Sequence, residues 1–375
     1  MFPIRQTISS NRTSQAATAA AVAPAESAAP AAQSALAFAL ARTQPYNQWT
    51  TDEIAEIYHT PLMELVHSAQ VHHRRFHDPT EVQLCTLLSI KTGGCTEDCS
   101  YCAQSQRYAD KTGLKAEKML DVDAVVAAAA EAKANGSTRF CMGSAWRDMT
   151  GRKSALNRIG QMVSAINDMG MESCVTLGMI EAEQIRVLKD AGLTAYNHNV
   201  DTSREHYPNV ITTRTYDDRL RTIQNVQDEG VKACTGGILG LGETEDDHVS
   251  FLHTLATMAR HPESVPINRL VAIKGTPMED IESKAGKLPF DSIVRTVATA
   301  RLTMPEAIIR LSAGRYTMKE HEQFLCFMAG VNAIFTGKKM LTTMCNGWDD
   351  DKQMLAKWGL RPMRSFDKGR GTAAL

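Results

Sequence analysis

Three cysteines lie close together in the segment Cys95-Thr-Glu-Asp-Cys99-Ser-Tyr-Cys102. A loop this compact can bring three thiolates to one metal cluster. A four-iron cluster normally takes four cysteine ligands, so three would leave one iron without a protein ligand. A catalytic metal site keeps an open position, whereas a structural site is closed. The spacing therefore predicts a reactive iron–sulfur site whose open iron can accept a small chelating ligand.

A structural zinc site and a ferredoxin are the alternatives to this prediction. Zinc usually takes a fourth cysteine or histidine at short spacing, and the sequence offers none nearby. A ferredoxin would show a further nearby cysteine and would be much smaller than 375 residues. The C-x3-C-x2-C spacing after a predicted first strand resembles that of the radical SAM superfamily, whose enzymes cleave S-adenosylmethionine (SAM). An aromatic residue at the position of Tyr101 packs near the adenine in that superfamily.

Polar and sulfur-containing side chains interrupt several later segments that have the pattern of β-strands. Asn197 and Asn199 are two residues apart, so they face the same side of their strand, with Asp201 next in that register. A single buried cysteine is more often a small hydrophobe than a ligand, but buried Asn and Arg need polar partners. Three cysteines and an arginine on separate strands could converge inside a barrel as a second metal site. The other residues of this kind are Cys141, Cys174, Cys234, Asn268 and Arg310.

Eight short β-like runs alternate with longer helical patterns, which is typical of a TIM-type (β/α)8 barrel. The predicted strands are Leu84–Ile90, Thr138–Met142, Ser173–Gly178, Ala195–Val200, Val231–Ile238, Val265–Val271, Ile308–Leu311 and Asn332–Phe335. The clearest helical patterns are Val122–Lys133, Ala182–Ala191, Asp217–Glu229, His248–Arg260 and Phe290–Met304. Because consecutive parallel strands need a crossover, each helix is expected to pack outside the sheet.

The two ends of the chain differ from this barrel region. Residues 1–45 are rich in Ala, Ser, Thr and Pro and predict a disordered extension, with an organelle transit peptide as the alternative. Residues 46–80 predict N-terminal helices of the barrel domain, which spans residues 46–345. The histidines at 72, 73 and 77 are interpreted as a solvated helix end. Residues 346–375 are polar and are expected to form an irregular C-terminal tail.

Composition excludes several classes of function. Lys plus Arg number 41 and Asp plus Glu number 42, so no excess charge attracts nucleic acid. The sequence contains no apolar run of the ~18–20 residues that a spanning helix needs, and no membrane association is expected. Nine scattered cysteines argue against a disulfide framework and favour reduced thiols in a cytoplasmic compartment.

Longer blocks of sequence resemble one family within the radical SAM superfamily, the biotin synthases. They occur in the family's order, from about residue 50 to about residue 345. The blocks are Ser89–Gln104, Gly136–Gly143, Tyr196–Ser203, Ile211–Tyr216, Gly236–Thr244, Val265–Asn268 and Arg310–Arg315. This resemblance is far more specific than the cysteine triad alone.

The resemblance implies two clusters. Cys95, Cys99 and Cys102 would hold a [4Fe–4S] cluster whose open iron binds the amino and carboxylate groups of SAM. A [2Fe–2S] cluster would lie deep in the barrel, and its arginine ligand is unusual because guanidinium is normally protonated. The implied ligands of this second cluster are Cys141, Cys174, Cys234 and Arg310.

The resemblance also implies roles for the polar residues of the barrel. Asp201 would contact the SAM ribose, and Arg219 its carboxylate. Asn199 and Asn268 would bind dethiobiotin, and Asn197 would lie on the substrate side or the SAM side. No catalytic residue is expected beyond the cluster ligands.

The implied reaction inserts sulfur between C6 and C9 of dethiobiotin, which gives biotin. An external donor such as flavodoxin or ferredoxin would supply electrons, cleavage of SAM would give a 5′-deoxyadenosyl radical, and the [2Fe–2S] cluster would donate the sulfur. The resemblance further implies a homodimer. Ala195 stands where some members carry Tyr, and the extension has no equivalent in shorter members. Cys85, Cys326 and Cys345 match no ligand position and are expected to be buried or incidental thiols.

Other readings stay open at this point. Methylornithine-synthase and hydrogenase-maturation enzymes would share the barrel but lack the second set of ligands. A lipoyl synthase should show a further cysteine cluster near its N-terminus, and the first 84 residues contain no cysteine. A non-catalytic iron–sulfur carrier would not need the polar barrel residues.

Overall fold

A computed structural model gives the fold of residues 34–365. Eight parallel strands close into a barrel, because β9 returns to pair with β1. The eight strands in the ring are β1 (Glu81–Lys91), β2 (Arg139–Ser144), β3 (Glu172–Thr176), β4 (Ala195–Asn197), β5 (Lys232–Cys234), β7 (Ser264–Arg269), β8 (Ile308–Leu311) and β9 (Ala333–Phe335). A short strand, β6 (Gly237–Leu239), follows β5 in the chain. The predicted (β/α)8 barrel is confirmed.

The predicted strand Val231–Ile238 is divided into β5 and β6. Both pieces pair with β7, and Thr235 and Gly236 form the break between them. A Cβ atom on Gly236 would lie 2.0 Å from the carbonyl oxygen of Pro266. Only glycine allows the backbone of the break to approach β7 this closely.

Helices cover the outside of the barrel and begin and end with recognisable signals. Thr215 and Thr244 form capping boxes at the starts of the helices Tyr216–Asp228 and Glu245–Ala256. Glycines with positive φ follow three helix ends, at 170, 192 and 230. The helices after β1 are α4 (Ala109–Thr112), α5 (Val122–Ala134), α6 (Lys153–Asp168), α7 (Ala182–Asp190), α8 (Tyr207–Val210), α9 (Tyr216–Asp228), α10 (Glu245–Ala256), α11 (Ile281–Ala285), α12 (Phe290–Thr303) and α13 (Glu320–Met328).

Three helices precede the barrel: α1 (Ala35–Ala41), α2 (Thr51–Tyr58) and α3 (Leu62–Phe76). In α1, Ala39 is buried, and the ring of Phe38 packs edge-on against Trp49 with centroids 5.6 Å apart. The prediction of disorder up to residue 45 is therefore wrong for this helix, whose short apolar run binds to the domain. Residues 1–33 of the predicted extension lie outside the described residues.

The expected solvated end of α3 is also wrong. His72 and His73 are buried where α3 packs against α12. Burial, and then the nearby guanidinium of Arg301, lowers the pKa of His73 to about 2. The same burial lowers the pKa of His77 to about 3. These imidazoles are neutral parts of the core at physiological pH.

The expectation of irregular structure after residue 345 is wrong as well. There α14 (Trp348–Lys357) is followed by β12 (Arg361–Pro362), which pairs with the start of β1. Asp351 is buried in an ion pair with Arg315, at 2.6 Å between Oδ2 and Nη2. The segment reads as polar because acidic residues occupy the first turn of α14, where they suit the helix dipole. The assignment of residues 46–345 as the domain stays a prediction.

A short hairpin lies between β9 and α14. It consists of β10 (Lys339–Met340) and β11 (Thr343–Met344), joined through Leu341, whose φ is 49°. No helix within residues 34–365 is both long enough and apolar enough to cross a membrane.

Candidate active site

A cavity of about 300 Å³ lies inside the barrel and at the carboxyl ends of its strands. Active sites of (β/α)8 barrels lie at this face, because the loops after the strands meet there. Every candidate site residue singled out from the sequence lines this cavity. They are Cys95, Cys99, Tyr101, Cys102, Cys141, Cys174, Asn197, Asn199, Asp201, Arg219, Cys234, Asn268 and Arg310.

The three-cysteine loop follows β1 and folds back on itself. The amide of Cys95 donates to the carbonyl of Gln104 at 3.0 Å, and that of Cys102 donates to the carbonyl of Cys99 at 2.9 Å. Burial raises the pKa of Cys102 to about 11 and that of Cys99 further. As free thiols these side chains are neutral, so a cationic metal centre is what would hold them as thiolates.

Asp201 is the centre of a buried polar group beside this loop. Its Oδ2 accepts a hydrogen bond from the Tyr101 hydroxyl at 3.1 Å and a short one from Arg219 Nη2. The remaining nitrogens of Arg219 donate to the Tyr207 hydroxyl at 3.0 Å and the Asn199 carbonyl at 2.8 Å. Asp201 has φ 70°, a conformation that non-glycine residues adopt where the surroundings fix it. The aspartate is thus held in one orientation toward the cavity.

The inner thiols lie deeper, on the strands themselves. Cys141 and Cys174 are register partners on β2 and β3, and Cys234 ends β5. The three are buried and pack in one group with Cys85. Arg310 Nη1 donates to Cys234 Sγ at 3.6 Å. The structure therefore brings together the four residues that the family resemblance implied for a second cluster.

Three amide side chains line the cavity near the inner thiols. Asn197 Nδ2 donates to Asn199 Oδ1 at 3.1 Å and lies 3.4 Å from Cys234 Sγ. Asn268 donates to the Gly237 carbonyl at 2.9 Å. A primary amide has two donor hydrogens and two acceptor positions, so these fixed amides keep capacity for a ligand in the cavity.

A charged group forms the floor beneath the inner thiols. Arg139 Nε donates to Glu172 Oε2 at 2.7 Å, and its Nη2 donates to Glu263 Oε1 at 2.6 Å. Gln83 joins them through Glu172 at 3.3 Å and accepts a short hydrogen bond from Arg310. These ion pairs and hydrogen bonds connect the strands that carry the inner thiols.

Sequence reasoning missed this floor, although the sequence contains a signal for it. Gln83, Arg139 and Glu172 each stand two residues before a cysteine, at 85, 141 and 174. Residues two apart in a strand face the same side, so each strand carries a polar residue below its cysteine.

Arg214 was also missed. Its side chain is buried and lines the cavity, while its Nε and Nη1 have no hydrogen-bond partner. Its Nε lies 3.7 Å from a carboxylate oxygen of Glu97, an ion pair with poor hydrogen-bond geometry. The guanidinium adds positive charge to the wall between the cysteine loop and the cavity.

Comparisons with known proteins agree with this geometry. Two family models match: the Radical SAM superfamily over residues 89–255, and the Biotin and Thiamin Synthesis associated domain over residues 266–361. A protein from Saccharomyces cerevisiae named "Biotin synthase, mitochondrial" is 69% identical over 90% of this chain and 90% of its own. The chain belongs to the biotin synthase family. A relative of the same name from Emericella nidulans is 59% identical, over 90% of this chain and 85% of its own.

Solved structures share the fold of this biotin synthase family member. Methylornithine synthase (PylB) superposes with a TM-score of 0.72 at 16% identity, covering 91% of this chain and all of its own. The FeFe-hydrogenase maturase HydG from Carboxydothermus hydrogenoformans gives 0.71 at 16% identity, over 84% of this chain and 76% of its own. At such low identity these matches bear on the barrel alone.

Membership of the biotin synthase family and the radical SAM match establish the use of SAM and a [4Fe–4S] cluster. The cysteine loop suits that cluster, since its three thiols line one cavity on one short, internally bonded loop. Among residues 34–365, no three His, Cys, Asp or Glu side chains are close enough to hold one metal ion. A cluster spreads its ligands over several irons and so accepts wider spacing.

Proposed function

We propose that this chain converts dethiobiotin to biotin by SAM-dependent insertion of sulfur between C6 and C9. One observation carries the proposal. A single cavity is lined by a three-cysteine loop at its mouth, by three further cysteines and Arg310 inside, and by three amides beside them. A radical SAM enzyme that only cleaves SAM would need the loop but not the inner sulfur ligands.

The cofactors carry the chemistry that side chains cannot. When bound, a [4Fe–4S] cluster on Cys95, Cys99 and Cys102 supplies the electron for SAM cleavage, and a [2Fe–2S] cluster on the inner ligands supplies sulfur. The inner ligands proposed are Cys141, Cys174, Cys234 and Arg310. Four thiols packed together beside a guanidinium fit a sulfur-rich centre, because thiolates suit iron–sulfur clusters.

The remaining residues bind and orient the two organic molecules. Asp201, fixed by Tyr101 and Arg219, presents a carboxylate that can accept hydrogen bonds from ribose hydroxyls. Arg219 is proposed to contact the SAM carboxylate. The ureido ring of dethiobiotin offers two N–H donors and one carbonyl, which the amides of Asn197, Asn199 and Asn268 can match.

Apolar side chains of the cavity wall would limit the access of water to the reacting molecules. Met340 and Leu341 of the hairpin line the cavity from above, and Leu87 and Ile238 line its walls with apolar surface. A carbon radical formed in contact with these side chains would meet substrate before solvent.

The test is anaerobic incubation of reconstituted protein with SAM, dethiobiotin and a reductant, with 5′-deoxyadenosine and biotin measured together. Cys99→Ala should abolish both products, whereas Cys174→Ala should still form deoxyadenosine but no biotin. Cys326→Ala is the matched control, because this buried thiol does not line the cavity, and both products should persist. Biotin from the Cys174 variant would refute the ligand assignment. Deoxyadenosine without biotin from the wild type, with both clusters present, would refute the substrate.

An external electron donor such as flavodoxin or ferredoxin and a homodimeric state complete the proposal. The donor class is testable by replacing the chemical reductant with a reduced flavodoxin or ferredoxin and measuring deoxyadenosine formation. Sedimentation of the reconstituted protein gives its mass directly. A single 41.1 kDa species at micromolar concentration would refute the dimer.

The location proposed from the sequence is cytoplasmic, whereas relatives from S. cerevisiae, E. nidulans and Arabidopsis thaliana have "mitochondrial" in their names. The residues that would decide, 1–33, lie outside the described part; they hold two arginines and no acidic residue before Glu26. A fluorescent fusion of the full chain should stain the cytoplasm. Mitochondrial fluorescence that is lost when residues 1–33 are deleted would overturn the cytoplasmic location.

A further inference from the structure

Cys85 is a buried thiol that the proposed function does not use. It lies on β1, is fully buried, and packs in the same group as Cys141, Cys174 and Cys234. Cys141, in the same group, lies on the neighbouring strand β2, which pairs with β1. Cys326, another fully buried thiol, instead lies in the apolar core, so Cys85 differs from a cysteine that only fills space.

Cys85 and Arg310 meet at the same atom. Cys85 Sγ donates to Gln83 Oε1 at 3.5 Å, and Arg310 Nη2 donates to that same oxygen. Nη1 of the same guanidinium donates to Cys234 Sγ at 3.6 Å. The thiol of Cys85 and the head of Arg310 therefore lie side by side, with Cys141 adjoining one and Cys234 the other.

Coordination chemistry makes this arrangement meaningful. A [2Fe–2S] cluster is ordinarily held by four thiolates. A guanidinium is protonated under ordinary conditions and is a poor metal ligand in that form. The barrel of this chain nevertheless places four thiols, and not three, in the inner group.

We propose that Cys85 is a fourth cysteine ligand available to the inner cluster and that it binds iron when Arg310 does not. This inference rests on the proposed function, since it concerns the [2Fe–2S] cluster assigned there. Both side chains are hydrogen-bonded to the same Gln83 oxygen, so either would leave that oxygen to bind iron. Cys85 thus keeps the iron in the barrel, bound by a thiolate, when Arg310 is not a ligand.

The test compares Arg310→Met, Cys85→Ala and the double variant after anaerobic reconstitution. Iron and acid-labile sulfide per chain, together with visible absorption and resonance Raman spectra, report the two-iron cluster separately from activity. The Arg310 variant should keep the cluster with an altered Fe–S spectrum. The double variant should retain about a fifth or less of the two-iron content, with its four-iron cluster intact as a check of folding.

Equal cluster content and identical spectra in the Arg310 variant and the double variant would overturn the proposal, as would loss of the cluster from a folded Arg310 variant. A second measurement tests the proposal if the Arg310 variant does not fold. In the wild-type background, Cys85→Ala should speed loss of the two-iron cluster to a chelator at least threefold, while Cys326→Ala should not; equal rates would refute the role. A wild-type chain without any two-iron cluster would refute the proposed function itself.

Discussion

Replacing Arg139 by Met should destabilise the folded protein strongly, because it leaves two carboxylates on the barrel floor without their cation. Arg139 is fully buried and bonded to both Glu172, also fully buried, and Glu263, 18% exposed. Breaking a buried ion pair from one side costs about 3–5 kcal/mol. Lys232 and Arg310 remain as other cations near Glu263, so we expect the lower part of this range.

The expected change in melting temperature follows from the size of the folded unit. Unfolding entropy of ~2.1 cal/mol/K per residue over roughly 330 residues gives about 0.7 kcal/mol/K, so a loss of about 3–4 kcal/mol lowers the melting temperature by about 4–6 °C. Arg186→Met is the matched control, since Arg186 also binds a glutamate, Glu229, through two nitrogens but is 57% exposed. Exposed pairs contribute little, so the control should melt close to the wild type.

The deficit should depend on pH in a stated direction. Burial raises the pKa of Glu263, but Arg139 more than offsets this and holds that pKa below its ordinary value. Without Arg139 the folded-state pKa rises above the unfolded value, so the penalty is present at neutral pH and fades as Glu263 becomes protonated. The gap between variant and wild type should therefore narrow from pH 7 toward pH 5.

Thermal unfolding of cluster-free protein, followed by circular dichroism at both pH values, measures this effect. Cluster-free protein keeps metal binding out of the comparison. An Arg139 variant that melts with the wild type at pH 7 would refute the argument, since the floor would then not depend on ionic pairing. A deficit unchanged at pH 5 would show that lost packing, and not uncompensated charge, is responsible.

Three further predictions concern binding and folding. Asp201→Asn should weaken SAM binding about 10- to 100-fold, because charged hydrogen bonds contribute about 1.5–3 kcal/mol. Calorimetry of the reconstituted protein should show no such loss for the exposed control Asp217→Asn. Equal affinities of the Asp201 variant and the wild type for SAM would contradict this prediction. Asn268→Ala should raise the KM for dethiobiotin about 2- to 10-fold, the range for one neutral hydrogen bond. An unchanged KM in the biotin assay would show that Asn268 does not bind the substrate. Gly236→Ala should prevent soluble expression, since its Cβ would meet the Pro266 carbonyl at 2.0 Å, and normal yield and melting would show that the break relaxes.

Much of the barrel was predictable, because buried parallel strands are runs of apolar residues with helical patterns between them. The break at Gly236 was not, since it depends on how closely β5 and β7 approach. The helix α14 was missed because its first turn is acidic and only a few side chains, such as Leu355, face the barrel. Helix α1 was missed because seven residues give too little periodicity to stand out from a low-complexity segment.

The site residues were found by two different kinds of reasoning. Spacing alone pointed to the cysteine loop, whereas the convergence of Cys141, Cys174, Cys234 and Arg310 needed the family resemblance. That they line one cavity is now a structural fact, while their roles stay predictions. Gln83 was not singled out and Cys85 was expected to be a buried or incidental thiol, because the surroundings of a polar residue or thiol in a strand are known only when the barrel closes around it.

The pairing of β1 has a consequence for the order of events during synthesis. This strand leads into the cysteine loop, yet two of the strands that pair with it, β9 and β12, are made more than 240 residues later. The barrel therefore cannot close around the inner thiols until residues 333–335 have been synthesised. We expect metal loading of the inner site to follow completion of the polypeptide, so these thiols need a reducing environment until then.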